Sequence, residues 1–146
     1  MSTNPEKAVS YVLSKYVTEY MNKDVLKLSM KTQTRDAATM LRSYETDDII
    51  VIDKKKFPVG IVTDEDILSK VSDATVYAEA TTLEEIMSKP LITINEKSTL
   101  QDALHIMRDN NVRKLPVVSK KNFVVGMILQ SCDISKEPAH LQHHQS

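Results

Sequence analysis

Few residues of this sequence are placed to do chemistry, and the clearest are Thr63 and Asp66 in the stretch Gly60-Ile61-Val62-Thr63-Asp64-Glu65-Asp66-Ile67. A hydroxyl and a carboxylate three residues apart, where an apolar run meets an amphipathic one, can act in two ways. They can close a capping box, each satisfying an orphan N–H at a helix start. Alternatively, at the end of a strand, the carboxylate can accept both hydroxyls of a ribose. Their chemistry alone leaves both open. The other reactive types are less promising. Cys132 has no His near it in sequence to act as a base, so a packed side chain is expected rather than a nucleophile. His140, His143 and His144 fall in a polar tail without Cys, and no metal site is expected there. His105 falls within a helical pattern and is expected to be exposed. Without a P-loop, or a second acidic cluster for metal-assisted phosphoryl transfer, no enzyme is expected.

The elements that must position Thr63 and Asp66 are legible around them. Ile61 and Val62 suit a buried strand, Thr63 a helix cap, and Asp64, Glu65 and Asp66 the positive end of the helix that follows. Ile67, Leu68 and Val71 supply that helix's inner face. Upstream, Val25-Leu26-Lys27-Leu28 reads as a short strand, and Ala37, Ala38, Leu41 and Tyr44 as one helical face. Ile49-Ile50-Val51-Ile52 is a strand buried on both sides, and a turn at Asp53-Lys54-Lys55-Lys56 returns the chain through Phe57 to Val62. The order is β-α-β-β-α. Before it, Asn4-Pro5 starts a helix whose apolar residues Val9, Val12, Leu13, Tyr16, Val17 and Tyr20 continue at helical spacing.

The same order then repeats. A polar connection leads to a capping box at Thr82-Leu83-Glu84-Glu85, a strand at Leu91–Ile94, a helix opened by Ser98-Thr99, and strands at Leu115–Val118 and Phe123–Leu129. An offset of 66, set by Gly60 and Gly126, also superposes Met21 on Met87, Ala37 on Ala103, Val51 on Val117 and Phe57 on Phe123. Both glycines of the chain hold equivalent positions. This is a tandem duplication, and neither half, at about 60 residues, buries much core alone.

Composition narrows the partners. With 41% apolar and 27% charged residues among 146, the chain is a globular protein, and a net charge of −1 gives no reason to expect nucleic acid or an anionic membrane. Two Phe, five Tyr and no Trp supply no aromatic platform for single strands. No apolar run approaches the ~20 residues of a spanning helix, and no signal peptide is visible. A single Cys fits a reducing compartment, so a cytoplasmic protein is expected.

The duplicated pattern resembles a pair of cystathionine-β-synthase (CBS) domains. Each copy has a Met near its start, an Ala-containing helix and a Gly-led closing strand, and Gly60 to Asp66 matches the family's Gly-h-h-(Thr/Ser)-x-x-Asp signature. The implied organisation is an amino-terminal amphipathic helix (1–16), a first CBS domain (17–72), a linker (73–82), a second CBS domain (83–135) and a disordered tail (136–146), the two repeats packing about a pseudo-twofold axis as an α/β fold.

The resemblance also implies a binding module for AMP, ADP, ATP or S-adenosylmethionine. Asp66 would accept the ribose hydroxyls with Thr63 beside it, and Val25, Leu26 and Leu28 would flank the adenine. Arg113 and Lys114, just ahead of a middle strand, would meet phosphates. The halves are not equivalent: the positions matching Thr63 and Asp66 are Leu129 and Cys132, with Asp133 one residue late, and those matching Arg113 and Lys114 are Asp47 and Asp48. One competent cleft per chain is therefore expected, in a homodimer acting on an unidentified protein target. The rival is a scaffold protein with empty clefts, in which Thr63 and Asp66 only cap.

Overall fold

The structure is a computed structural model that describes residues 4–72 and 81–131, with side chains at 70–72 not described. Most of the expected linker, Cys132, Asp133, the tail with its three His, and the inward placement of Val71 lie outside the described residues.

The elements run α1 (Pro5–Leu13), a 3-10 turn (Val17–Glu19), β1 (Lys27–Ser29), α2 (Thr34–Tyr44), β2 (Asp48–Ile52), β3 (Pro58–Thr63), α3 (Asp64–Ser72), α4 (Leu83–Ile86), β4 (Ile94–Asn95), α5 (Leu100–Asn110), β5 (Lys114–Val118) and β6 (Val124–Leu129). They form two three-stranded sheets, ordered β1-β2-β3 and β4-β5-β6, each with one parallel and one antiparallel pairing. The duplication holds to the register. Asp48 pairs with Thr63 and Val51 with Gly60, as Lys114 pairs with Leu129 and Val117 with Gly126, and both ladders shift one residue later. Helices α2 and α5 each span 11 residues and end on a left-handed residue, Glu45 or Asn111.

The compact units do not follow the sequence repeats. One unit, hereafter the first-repeat unit, comprises Asp24–Leu91, and the second-repeat unit joins residues up to Lys23 to those from Ile92 onward. The two repeats thus exchange their opening segments. Val17 and Met21 belong to a core with Leu100, Met107, Leu115 and Ile128, whereas their counterpart Leu83 packs with Leu26, Leu41, Val62 and Ile67. Bridges Asn22–Met127 and Ser88–Ile61 pin each segment beside the closing strand that receives it. At these crossings glycine is required: a Cβ on Gly60 would lie 2.5 Å from Met87 Sδ, and one on Gly126 would collide with Met21 Sδ.

The amino-terminal helix is shorter than its apolar spacing predicts. Asn4 caps it, its Oδ1 accepting Glu6 N–H at 2.9 Å, but it stops at Leu13. Beyond that point tertiary pairing overrides propensity. Ser14 Oγ donates to the Tyr11 carbonyl at 2.6 Å, Lys15 C=O accepts Leu100 N–H at 2.9 Å, and Tyr16 bridges Thr99. Val12 and Leu13 pack against the second-repeat core, while Val9 stays exposed. Ala38 and Tyr44, expected along the apolar face of α2, are exposed too, with Ala37 and Leu41 carrying its buried stripe, and on α3 Ile67 is buried while Leu68, expected beside it, is exposed. The strand expected at Val25–Leu28 is regular only from Lys27, although Leu26 C=O still accepts Ile50 N–H at 2.9 Å.

Candidate functional site

Thr63 closes β3 and Asp66 sits in the first turn of α3, both half-buried. Asp66 Oδ2 accepts Thr63 N–H at 2.8 Å and Thr63 Oγ1 accepts Asp66 N–H at 3.2 Å. This is a capping box, formed as the spacing predicts. Among the described residues no other hydrogen bond to the carboxylate is seen. The same box opens α5, where Asp102 Oδ2 accepts Thr99 N–H at 3.0 Å and Thr99 Oγ1 accepts Asp102 N–H at 3.2 Å. The cap alone therefore does not distinguish a site.

The neighbours do. Thr63 is directly opposite Asp48, and extending the parallel register from Lys27–Ile50 brings Val25 level with Asp48. Directly opposed residues share a face of a sheet, so Asp48 and Thr63 stand on one face, and Val25 falls in line with them where the register is extended two residues ahead of β1. At about 4.8 Å between strands the row spans about 10 Å, the scale of a nucleoside. Leu26 and Leu28 fall on the other face, where Leu26 is 5% exposed in the core and Leu28 packs against it. Of the three apolar residues expected beside a base, Val25 alone shares the face of Thr63.

Asp48 is the residue whose importance the sequence conceals. By subtraction Asp47 and Asp48 are only replacements for phosphate-binding residues, yet in the fold Asp48 lies across the ladder from the hydroxyl of the first-repeat motif. The hairpin register around the Lys54–Lys56 turn holds that signal. Asp47, one residue earlier, instead lines a groove on the helical side, its carbonyl accepting Asp64 N–H at 3.0 Å. Asp47, Asp48, Asp64, Glu65 and Asp66 thus gather at one end of this sheet.

Arg113 and Lys114 lie in the second-repeat unit. Lys114 opens β5 opposite Leu129, in the place Asp48 holds in the other unit, and Arg113 matches Asp47, its carbonyl accepting Gln130 N–H at 2.8 Å. Arg113 lies in the bend just before β5 and Lys114 is the first residue of that strand. His105 is exposed on α5, as expected. No group of three potential metal ligands occurs among the described residues, and no described helix is long and apolar enough to cross a membrane.

Comparison with known proteins places this arrangement in a family. The CBS domain model matches residues 17–73 and 83–131, and the chain belongs to the CBS domain family as a tandem pair. An uncharacterized protein of Methanopyrus kandleri is 26% identical over 122 residues, 84% of this chain and 62% of that one. The chain spans 24% and 32% of two further relatives, so it matches parts of longer proteins. Among solved structures, the CBS domain pair of protein MJ0100 in complex with 5′-methylthioadenosine and S-adenosyl-L-methionine superposes with a TM-score of 0.68 at 24% identity, over 80% of this chain and 90% of that one. CBSX2 in complex with AMP gives 0.67 at 21% identity, over 80% and 90%.

Proposed function

We propose that this chain is a regulatory module that binds an adenosine ligand through its first-repeat unit and signals through conformation or partner affinity, as a cytoplasmic homodimer without catalytic activity of its own. The observation that carries this reading is the pairing of Asp48 with Thr63 and the Asp66 carboxylate beside it, with Val25 in line along the extended register of β1. The base would lie over Val25, and the ribose hydroxyls would donate to the Asp66 carboxylate. Structural neighbours that hold AMP, 5′-methylthioadenosine and S-adenosyl-L-methionine support the ligand class.

Charge orders the candidates within that class. A unit phosphate charge about 7 Å from a carboxylate costs on the order of 2–2.5 kcal/mol at protein-surface dielectric. With five carboxylates at this sheet end, AMP and S-adenosylmethionine are favoured over ADP and ATP. Phosphate contact remains our proposal for Arg113 and Lys114.

A second reading is favoured by one observation, the near-identity of the Thr63–Asp66 and Thr99–Asp102 boxes. On it, the chain is a scaffold and Thr63 only caps. Calorimetric titration with AMP, ADP, ATP and S-adenosylmethionine decides between them. Saturable binding near one ligand per chain, lost in Asp66→Ala and kept in Asp102→Ala, supports the regulatory module; no binding heat and no thermal shift with any of the four supports the scaffold.

A further inference from the structure

The duplication builds one methionine latch twice, and solvent reaches only one copy well. In the first-repeat unit the Met87 side chain lies flat on β3: a Cβ on Gly60 would stand 2.5 Å from its Sδ, 2.8 Å from its Cγ and 3.0 Å from its Cβ. The next residue ties the same strand, since Ile61 N–H donates to the Ser88 carbonyl at 3.2 Å and Ser88 N–H to the Ile61 carbonyl at 2.9 Å. In the second-repeat unit Met21 and Asn22 do the same against Gly126 and Met127. Access separates the copies. Met21 is 4% exposed and sits within its core, whereas Met87 is partly exposed and packs against the other core from its margin. Among the described methionines Met107 and Met127 are buried like Met21, and Met30 and Met40 are partly exposed, but Met87 alone joins that exposure to a sulfur set against a glycine.

A thioether within reach of solvent is a substrate for peroxides. We propose that Met87 is a site of reversible oxidation by hydrogen peroxide or an organic hydroperoxide, and that its sulfoxide releases the Met87–Ser88 segment from β3. The sulfur gives an electron pair to one peroxide oxygen, the O–O bond breaks, the S=O bond forms, and the second oxygen leaves as water or an alcohol. Sulfur loses two electrons and the peroxide gains them. The reduced side chain already fills the space over Gly60, so the added oxygen cannot point toward the strand. Turned inward, it would bury a strong acceptor in the apolar cluster of Leu83, Val62 and Ile86, at the cost of desolvating it. Turned outward, it lifts the side chain off Gly60 and pulls on the paired Ile61 and Ser88. The strand so loosened is the one that ends at Thr63. Met21 makes the same contact in a sealed core and stays reduced while the chain is folded. This chemistry is independent of adenosine binding.

The test is hydrogen peroxide treatment of the full chain carrying Cys132→Ser, so that the thiol takes no oxidant. Peptide mass spectrometry reads each methionine, and hydrogen exchange reads the amides of Ile61, Ser88, Asn22 and Met127. Met87 should gain one oxygen about tenfold faster than Met21 or more. Exchange at Ile61 and Ser88 should then quicken about tenfold while Asn22 and Met127 keep their protection, and the melting temperature should fall by about 5 °C. Methionine sulfoxide reductases acting on both epimers should restore the untreated values. Met87→Leu, a swap of nearly equal volume, should keep its melting temperature under peroxide although Met30 and Met40 still oxidise. Met87 staying reduced until urea unfolds the chain overturns the inference, as does an oxidised Met87 with Ile61 and Ser88 as protected as before. An equal fall in melting temperature for Met87→Leu also overturns it, by assigning the effect to the other methionines.

Discussion

The Thr63–Asp66 and Thr99–Asp102 boxes have hydrogen bonds that agree to within 0.2 Å, yet they stand in different surroundings. Thr63 ends a strand and has Asp48 across the ladder, with Val25 level beyond it. Thr99 follows a turn, and its backbone bridges Tyr16 of the exchanged segment. A local motif thus decides how a helix starts, while the ladder beside it decides what surrounds the same atoms: the Thr63–Asp66 box is half-buried and the Thr99–Asp102 box is exposed. The comparison extends to whole units: one scaffold, with Asp47 and Asp48 at a strand end in one and Arg113 and Lys114 in the other.

The strongest way to break this comparison is to remove both carboxylates in turn. Asp66→Ala should lower affinity for the best adenosine ligand about a hundredfold, while Asp102→Ala leaves it unchanged. Each should cost about 1 kcal/mol of stability as a lost cap, measured by urea denaturation. Equal affinity losses would erase the distinction between the two boxes.

The glycine crossings give the next largest effect. Gly60→Ala and Gly126→Ala should each destabilise by about 1–3 kcal/mol through overpacking. Gly126→Ala should cost more, because its added Cβ meets the Asn22 backbone carbonyl at 3.0 Å as well as Met21, whereas the three atoms nearest a Cβ on Gly60 all belong to the Met87 side chain. Met87→Ala should therefore rescue part of the Gly60→Ala loss in a double-mutant cycle. No rescue would mean that the clash is absorbed elsewhere.

Smaller effects sharpen the electrostatic side. Asp48→Asn should raise AMP affinity about threefold to tenfold by calorimetry while leaving uncharged 5′-methylthioadenosine unchanged. A parallel gain for both ligands would make the effect steric rather than electrostatic. Smallest of all, Glu84→Gln should shift stability by less than about 0.5 kcal/mol, because its 3.0 Å ion pair with Lys31 is largely exposed, at 41% and 72%.

Much of the fold can be read from the sequence because duplication doubles the signal. The single offset of 66 locates both helices, both hairpins and both glycines, and it holds in the observed registers. What an offset cannot carry is which copy packs on which. Met21 and Met87 are equivalent by subtraction, and only three dimensions show that each crosses to the other repeat's glycine. The first helix departs from expectation for a related reason. Val9 to Tyr20 keeps helical spacing, but the pairing of Lys15 and Tyr16 with the start of α5 is a long-range contact that periodicity does not register. At the site, the hydroxyl and carboxylate are plain, but separating Val25 from Leu26 and Leu28 requires knowing which face of the sheet each occupies.

The exchanged segments bear on how the chain is made. Translation delivers residues in order, so the stretch around Met21 emerges about a hundred residues before Gly126, the position it must pack against. The first-repeat unit takes all its residues from Asp24–Leu91, a stretch complete before Gly126 is made. The segment around Met21 must wait, solvated, until the β5–β6 hairpin leaves the exit tunnel. A part synthesised early is thus seated late, and closing so long a loop makes that step the slow one.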